Sequence, residues 1–198
     1  MNRLYLIIVF LSGILSANAQ FAVKSNLLYD ATTTPNIGVE AGLGGRSTFN
    51  LVYGLNPWSF NSETHGERKA KHWVLMPEYR WWPCARFNGH FIGVHAMGGQ
   101  FNVANVDLPV PGFFFAGENL RTGARDHRYQ AAFGGAGFTY GYQWILGRHW
   151  NLEAEAGVGY VHAWYDKYAC GECGGKIADG GANYLGVTKL GISILYLF

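Results

Sequence analysis

The sequence predicts an all-β fold, an eight-stranded antiparallel up-and-down transmembrane β-barrel, and three observations predict it. Residues 183–198 alternate strictly: Tyr184, Gly186, Thr188, Leu190, Ile192, Ile194, Tyr196 and Phe198 are apolar or small, while the other parity holds Lys189, Gly191 and Ser193. Side chains point to alternate faces of a strand, and this stretch is long enough to cross a bilayer. The connections between strand-like runs alternate short and long, as in a closed barrel with one end facing the periplasm. Finally, residues 20–198 contain no run of about 18 apolar residues, so any membrane entry is by strands rather than helices.

Residues 1–19 carry Arg3, an apolar run over 4–15 and Ala17-Asn18-Ala19. That is the pattern of a secretory signal peptide, which is excluded from the barrel domain at 20–198. With no cysteine at the expected cut, a lipoprotein anchor is not expected. The net charge of +2, with only 14% charged residues, argues against a nucleic-acid partner. Aromatics at 16% and 28 glycines suit strands that pack closely and bend.

Period-two alternation and Gly/Pro/Asn punctuation give strands at 21–32, 36–44, 47–56, 70–81, 89–101, 129–146, 149–165 and 183–198. Short turns fall at 44–46, 83–88 and 147–148, and longer links at 56–69, 102–128 and 169–182. The link 33–35 is the exception, being short on the long-link side. The expected lipid face includes Val23, Leu27 and Tyr29 in the first strand, and Leu51, Tyr53, Trp73, Leu75, Phe138 and Tyr140 farther on. The inward or outward parity of 89–101 stays open. Trp81, Trp144, Trp150, Tyr196 and Phe198 collect at the short-turn rim, and Trp58, Trp73, Trp164 and Tyr184 at the other, as interfacial girdles do. A soluble barrel would invert the two faces. Its water-facing side would be rich in Lys, Glu and Thr, whereas the second face here is mostly Gly, Ala, Asn and isolated charges.

The inward parity holds Lys24, Glu40, Glu78, Arg80, Glu153, Glu155 and Lys189, three cations against four carboxylates. An eight-stranded barrel has room for side chains and little else, and buried charges need partners. A lumen-filling ion-pair network is therefore expected, with a proton or ion path through Glu153 and Glu155 as the alternative.

Cys170 and Cys173 form an isolated CxxC, which fits a redox pair, half a zinc site or a local disulfide. An oxidising compartment favours the loop disulfide, and Cys84 is left over. Ser59, Ser62, Glu63 and His65 share one link, and Asp126 and His127 another. No spacing among them singles out a nucleophile with its base, so no catalytic residue, metal or cofactor is expected. Phe113, Phe114 and Phe115 follow two prolines in the link 102–128; such a run folds onto the barrel rim, dips into lipid or receives a partner protein, and it is the candidate partner contact of this chain.

The motifs KSNLLYD at 24–30, Pro35-Asn36 and PEYRWW at 77–82 resemble those of a Bacteroidota domain-of-unknown-function family of small outer-membrane β-barrels. The resemblance covers nearly all of the chain after residue 19. It implies an outer-membrane address and, through genes often near fimbrillin-type ones, an anchoring or accessory role; it implies no catalytic residue. The resulting expectation is a non-enzymatic barrel whose partners are outer-membrane lipid and another surface or outer-membrane protein. A lipid- or peptide-modifying enzyme and a narrow channel are the alternatives.

Overall fold

The structure, a computed structural model, describes residues 20–62, 66–104, 114–115, 118–119, 127–169 and 175–198. The signal-peptide reading of 1–19 lies outside them. The elements are β1 (Phe21–Asn26), α1 (Leu27–Ala31), β2 (Asn36–Gly42), β3 (Ser47–Asn56), β4 (Ser59–Ser62), β5 (Gly66–Trp81), β6 (Gly89–Ala104), β7 (Phe114–Phe115), β8 (Glu118–Asn119), β9 (His127–Ile145), β10 (Trp150–Ala169) and β11 (Lys176–Leu197).

Eight of these strands form one ring-like antiparallel sheet, in the order β3-β2-β1-β11-β10-β9-β6-β5, and β5 pairs back onto β3 from Ser47↔Trp81 to Asn56↔His72. Strands adjacent in the chain are adjacent in the ring, so the topology is up-and-down. β4 extends β5 as a hairpin, and β7 pairs with β8 and lies beside β11.

The alternation sorts side chains as the sequence predicts over most of the ring, and the result is inside-out. Arg80, Glu40, Glu78, Glu153, Asn50 and Gln143 are fully buried, while Leu51, Tyr53, Leu75, Phe138, Tyr140, Ile192 and Ile194 are exposed. The parity of β6 is now settled: Phe91 and His95 point inward, Ile92 and Val94 outward.

Two expectations are corrected. The first strand is not extended over 21–32: it ends at Asn26, whose side chain caps α1 by accepting from Leu28 N at 3.1 Å. A short polar residue that bonds its own downstream backbone stops the strand and starts a helix. Tyr29, expected on the lipid face, consequently turns inward against Val52, Val74 and Met76. The second correction lies in the closing strand. Gly157 pairs with Lys189 but Val158 pairs with Val187, so Thr188 is skipped in a β-bulge. One extra residue reverses the parity beyond it. Val187 and Leu185 therefore face out, and Tyr184, expected in the outer belt, faces in with its hydroxyl on Val187 O at 3.1 Å.

Strand lengths are unequal. β1 to β3 have 6, 7 and 10 residues, whereas β9 to β11 have 19, 20 and 22, so one side of the ring rises far above the other. The ring closes between β1 and β11 through five residue pairs, Ala22↔Leu197 to Asn26↔Ser193, against nineteen between β10 and β11. Asn26 finishes that seam: its amide donates to Leu190 O at 3.1 Å and its carbonyl accepts from Ile192 N at 3.3 Å. Asn26→Ala removes the cap and both ties, and is expected to lower stability by about 1–2 kcal/mol. Urea unfolding in phospholipid vesicles, followed by tryptophan fluorescence, measures it; an unchanged midpoint refutes the role assigned to Asn26.

Candidate functional site: a charge cluster inside the ring

The inward parity of β1, β2, β5, β10 and β11 brings all seven predicted lumen charges into one cluster, centred on Arg80. Its Nε reaches Glu78 at 2.7 Å, Nη1 reaches Glu40 and Glu153 at 2.8 Å each, and Nη2 reaches Glu155 at 2.7 Å. Only the planar, five-donor fork of arginine can serve four carboxylates at once. Lys24 adds a bond to Glu153 at 2.8 Å and lies 3.6 Å from Glu40. Lys189 holds Glu78 at 2.7 Å and Glu155 at 2.9 Å. Neutral donors add to these bonds: Thr48 to Glu40 at 2.6 Å, Asn50 to Glu78 Oε2 at 3.0 Å and Gln143 to Glu153 at 3.4 Å, while Glu78 Oε1 has no partner among the described residues.

Below the cluster, toward the short turns, the lumen is closed by rings. Phe91 lies 4.3 Å under the Arg80 guanidinium and 4.8 Å from the Trp82 ring. The 82–88 turn folds inward to add Phe87, which has φ 60° and is 2% exposed. A bulky residue in the left-handed region is strained. Its burial against Trp82, Ala22 and Leu195, and the Asn151 amide on Phe87 O at 2.9 Å, hold it there.

Above the cluster, His95 bridges Thr139 at 2.8 Å and Thr188 at 2.9 Å, which ties the bulge across the lumen. A layer of Tyr29, Val52, Val74, Met76, Met97 and Phe133 follows. Between this layer and the charges lies a pocket of about 10 Å³, room for about one water. Beyond the layer the interior widens into a cavity of about 930 Å³ at the long-link end. Residues of β3, β5, β6, β9, β10 and β11 surround it, with Asn56, His72, Phe101 and Tyr165 among the inward ones. On the outer face of the tall wall, Asp166 at 2.7 Å and Asp179 at 3.5 Å flank Lys176; the Asp166 hydrogen bond holds that ammonium above its ordinary pKa.

The structure does not reach every expected site. Cys170, Cys173, Glu63, His65, Phe113 and Asp126 lie outside the described residues. Phe114 and Phe115 form β7, Ser59 and Ser62 bound β4, and His127 begins β9. Cys84 is free and exposed in a short turn. The expected outer-rim residues Trp58, Trp73 and Trp164 are exposed near the long-link end. Sequence reasoning missed Trp82 and Phe87 as lumen residues and left Phe91 and His95 with their parity open. Trp82 continues the inward parity of Glu78 and Arg80, a readable signal, whereas nothing local announces that a turn folds into the lumen.

Compared with known proteins, residues 4–198 match a family model described as "Protein of unknown function (DUF3575)". No curated protein and no solved structure matches the chain.

Proposed function

Because that match spans nearly its whole length, the chain belongs to this family of unknown function, and from its geometry we propose a sealed β-barrel of the cell outer membrane that anchors or accompanies a surface assembly. The observation that carries the reading is the inside-out ring: a buried seven-charge cluster inside and exposed apolar side chains outside. In water this arrangement would be upside down, because charges are costly to bury and apolar faces costly to expose.

Depth supports the same reading. Along the outer face of β10, ten residues separate Trp150 from Tyr160, both exposed. At about 3.3 Å per residue and a tilt near 40° the two rings stand about 25 Å apart, the height of the apolar band of an outer-membrane barrel. Trp81, Trp144, Tyr196 and Phe198 accompany the first, and Trp73 and Trp164 lie near the second. On this reading the tall side of β9, β10 and β11 and the mouth cavity face outward. The link 102–128, with Phe113, Phe114 and Phe115, is the surface offered to a protein partner. The residues of 1–19 supply the export signal.

A sealed lumen separates this function from a channel. Refolded protein in planar bilayers is expected to give no current steps above baseline. Reproducible discrete conductance would overturn the plugged-barrel reading, and a chain that stays monodisperse in plain buffer without detergent would overturn the membrane reading.

A further inference from the structure

On the outer wall, just above the Tyr160 level, four side chains of β10 and β11 are locked into one group. Tyr160 Oη donates to Asn183 Oδ1 at 2.6 Å, and His162 Nδ1 lies 2.7 Å from the same oxygen. The Trp164 ring stands edge-on to His162 with centroids 4.6 Å apart. Tyr160, His162 and Trp164 share a face of β10, and His162 pairs with Asn183. The Thr188 bulge is what brings Asn183 to that face: with no residue skipped, it would point into the lumen.

The hydrogen bonds fix what the group presents. An amide oxygen only accepts, so His162 Nδ1 carries a hydrogen, and the neutral tautomer with that hydrogen has its lone pair on Nε2. Asn183 Nδ2 takes no part in these bonds and offers two donors. Space beside them is kept by glycine. A Cβ on Gly181 would stand 3.1 Å from His162 Cε1 and 3.2 Å from Nε2, and Gly134 of β9 pairs with His162 on its other side.

A fixed donor, a fixed acceptor and an exposed indole side by side are what a sugar ring requires. The amide and the imidazole bracket neighbouring hydroxyls, and the C–H face of the ring lies on the tryptophan. The four side chains include no carboxylate for a metal and no lysine or arginine for a phosphate. Depth decides the source: the group sits at the outer edge of the apolar band, where headgroups begin. We propose that Tyr160, His162, Trp164 and Asn183 form a binding site for the neutral sugar headgroup of an outer-leaflet glycolipid. The proposal rests on the membrane reading above.

The test uses the full chain in nanodiscs of phosphatidylethanolamine containing monogalactosyl diacylglycerol, with native mass spectrometry of the lipids retained. The wild-type chain is expected to hold the galactolipid in excess of its share of the disc. Asn183→Leu is expected to lower that excess about fivefold, the worth of one net hydrogen bond. Gly181→Ala, which crowds His162 Nε2 without touching the lumen, should lower it as well. Insertion without any excess, or an excess that both variants retain, overturns the site. Displacement of the galactolipid by an equimolar amount of methyl galactoside, which shares the headgroup but not the membrane anchor, overturns the glycolipid assignment in favour of a soluble sugar. A chain that does not enter the discs overturns the membrane reading, and this inference falls with it.

Discussion

Arg80→Met is expected to abolish the native ring under conditions where the wild-type chain folds. The substitution leaves Glu40, Glu78, Glu153 and Glu155 facing only Lys24 and Lys189, all seven positions being nearly inaccessible to water. Methionine fills most of the volume, so the loss isolates the charge and the five-donor geometry. Removing one partner from a buried ionic group costs about 3–5 kcal/mol, and Arg80 serves four carboxylates rather than one. The measurement is urea unfolding in phospholipid vesicles, alongside the gel shift that folded barrels show when loaded without boiling. Adding Glu153→Gln to Arg80→Met should recover part of the loss, since the pair is directly bonded. A single Arg80→Met chain with wild-type stability would show that the cluster does not hold the ring together.

Gly137→Val is the second large effect. Gly137 of β9 pairs with Gly159 of β10, and both strands approach there with no side chain between them. An added Cβ at Gly137 would stand 2.4 Å from Val158 O, 2.8 Å from His95 Cε1 and 2.9 Å from Gly159 Cα. Two of those atoms are backbone, so the ring itself would have to widen, at a cost of about 3 kcal/mol. The displaced His95 would also release Thr139 and Thr188. Gly147→Ala is the matched control, because nothing lies within 4 Å of its added Cβ. Equal unfolding midpoints for the two variants would refute this account of the close approach.

What could be read from the sequence was whatever repeats locally. The alternation of Glu78, Arg80 and Trp82 against Tyr79 and Trp81 states directly which side chains share a face. The same rule on β1, β2, β10 and β11 puts the seven charges on the inner parity, and closure of the ring then brings them together. Strand ends were less legible, because β9, β10 and β11 continue through glycine-rich and polar residues that resemble link sequence. Tyr29 was misplaced because Asn26 breaks the strand with a side-chain cap, and a cap competes with extension only in three dimensions. Tyr184 was misplaced because a bulge leaves no mark in composition: Thr188 looks like any strand residue until His95 is seen across the lumen. The lower plug was hidden for a similar reason, since Phe87 is an ordinary turn residue until its turn is seen folded inward.

The short seam between β1 and β11 has a mechanical meaning. A tether attached high on β9 to β11 would pull on the strand that has the least hold on its far neighbour. Tension would part the cylinder at an edge of β1, which holds β11 through five residue pairs and β2 through four, each pair resisting with tenths of a kcal/mol to about 1 kcal/mol. Asn26, clasping Leu190 and Ile192, stands where such a tear would start. A load-bearing attachment would therefore be steadier on the broad β5–β6–β9–β10 flank, where long strands are laced together from end to end.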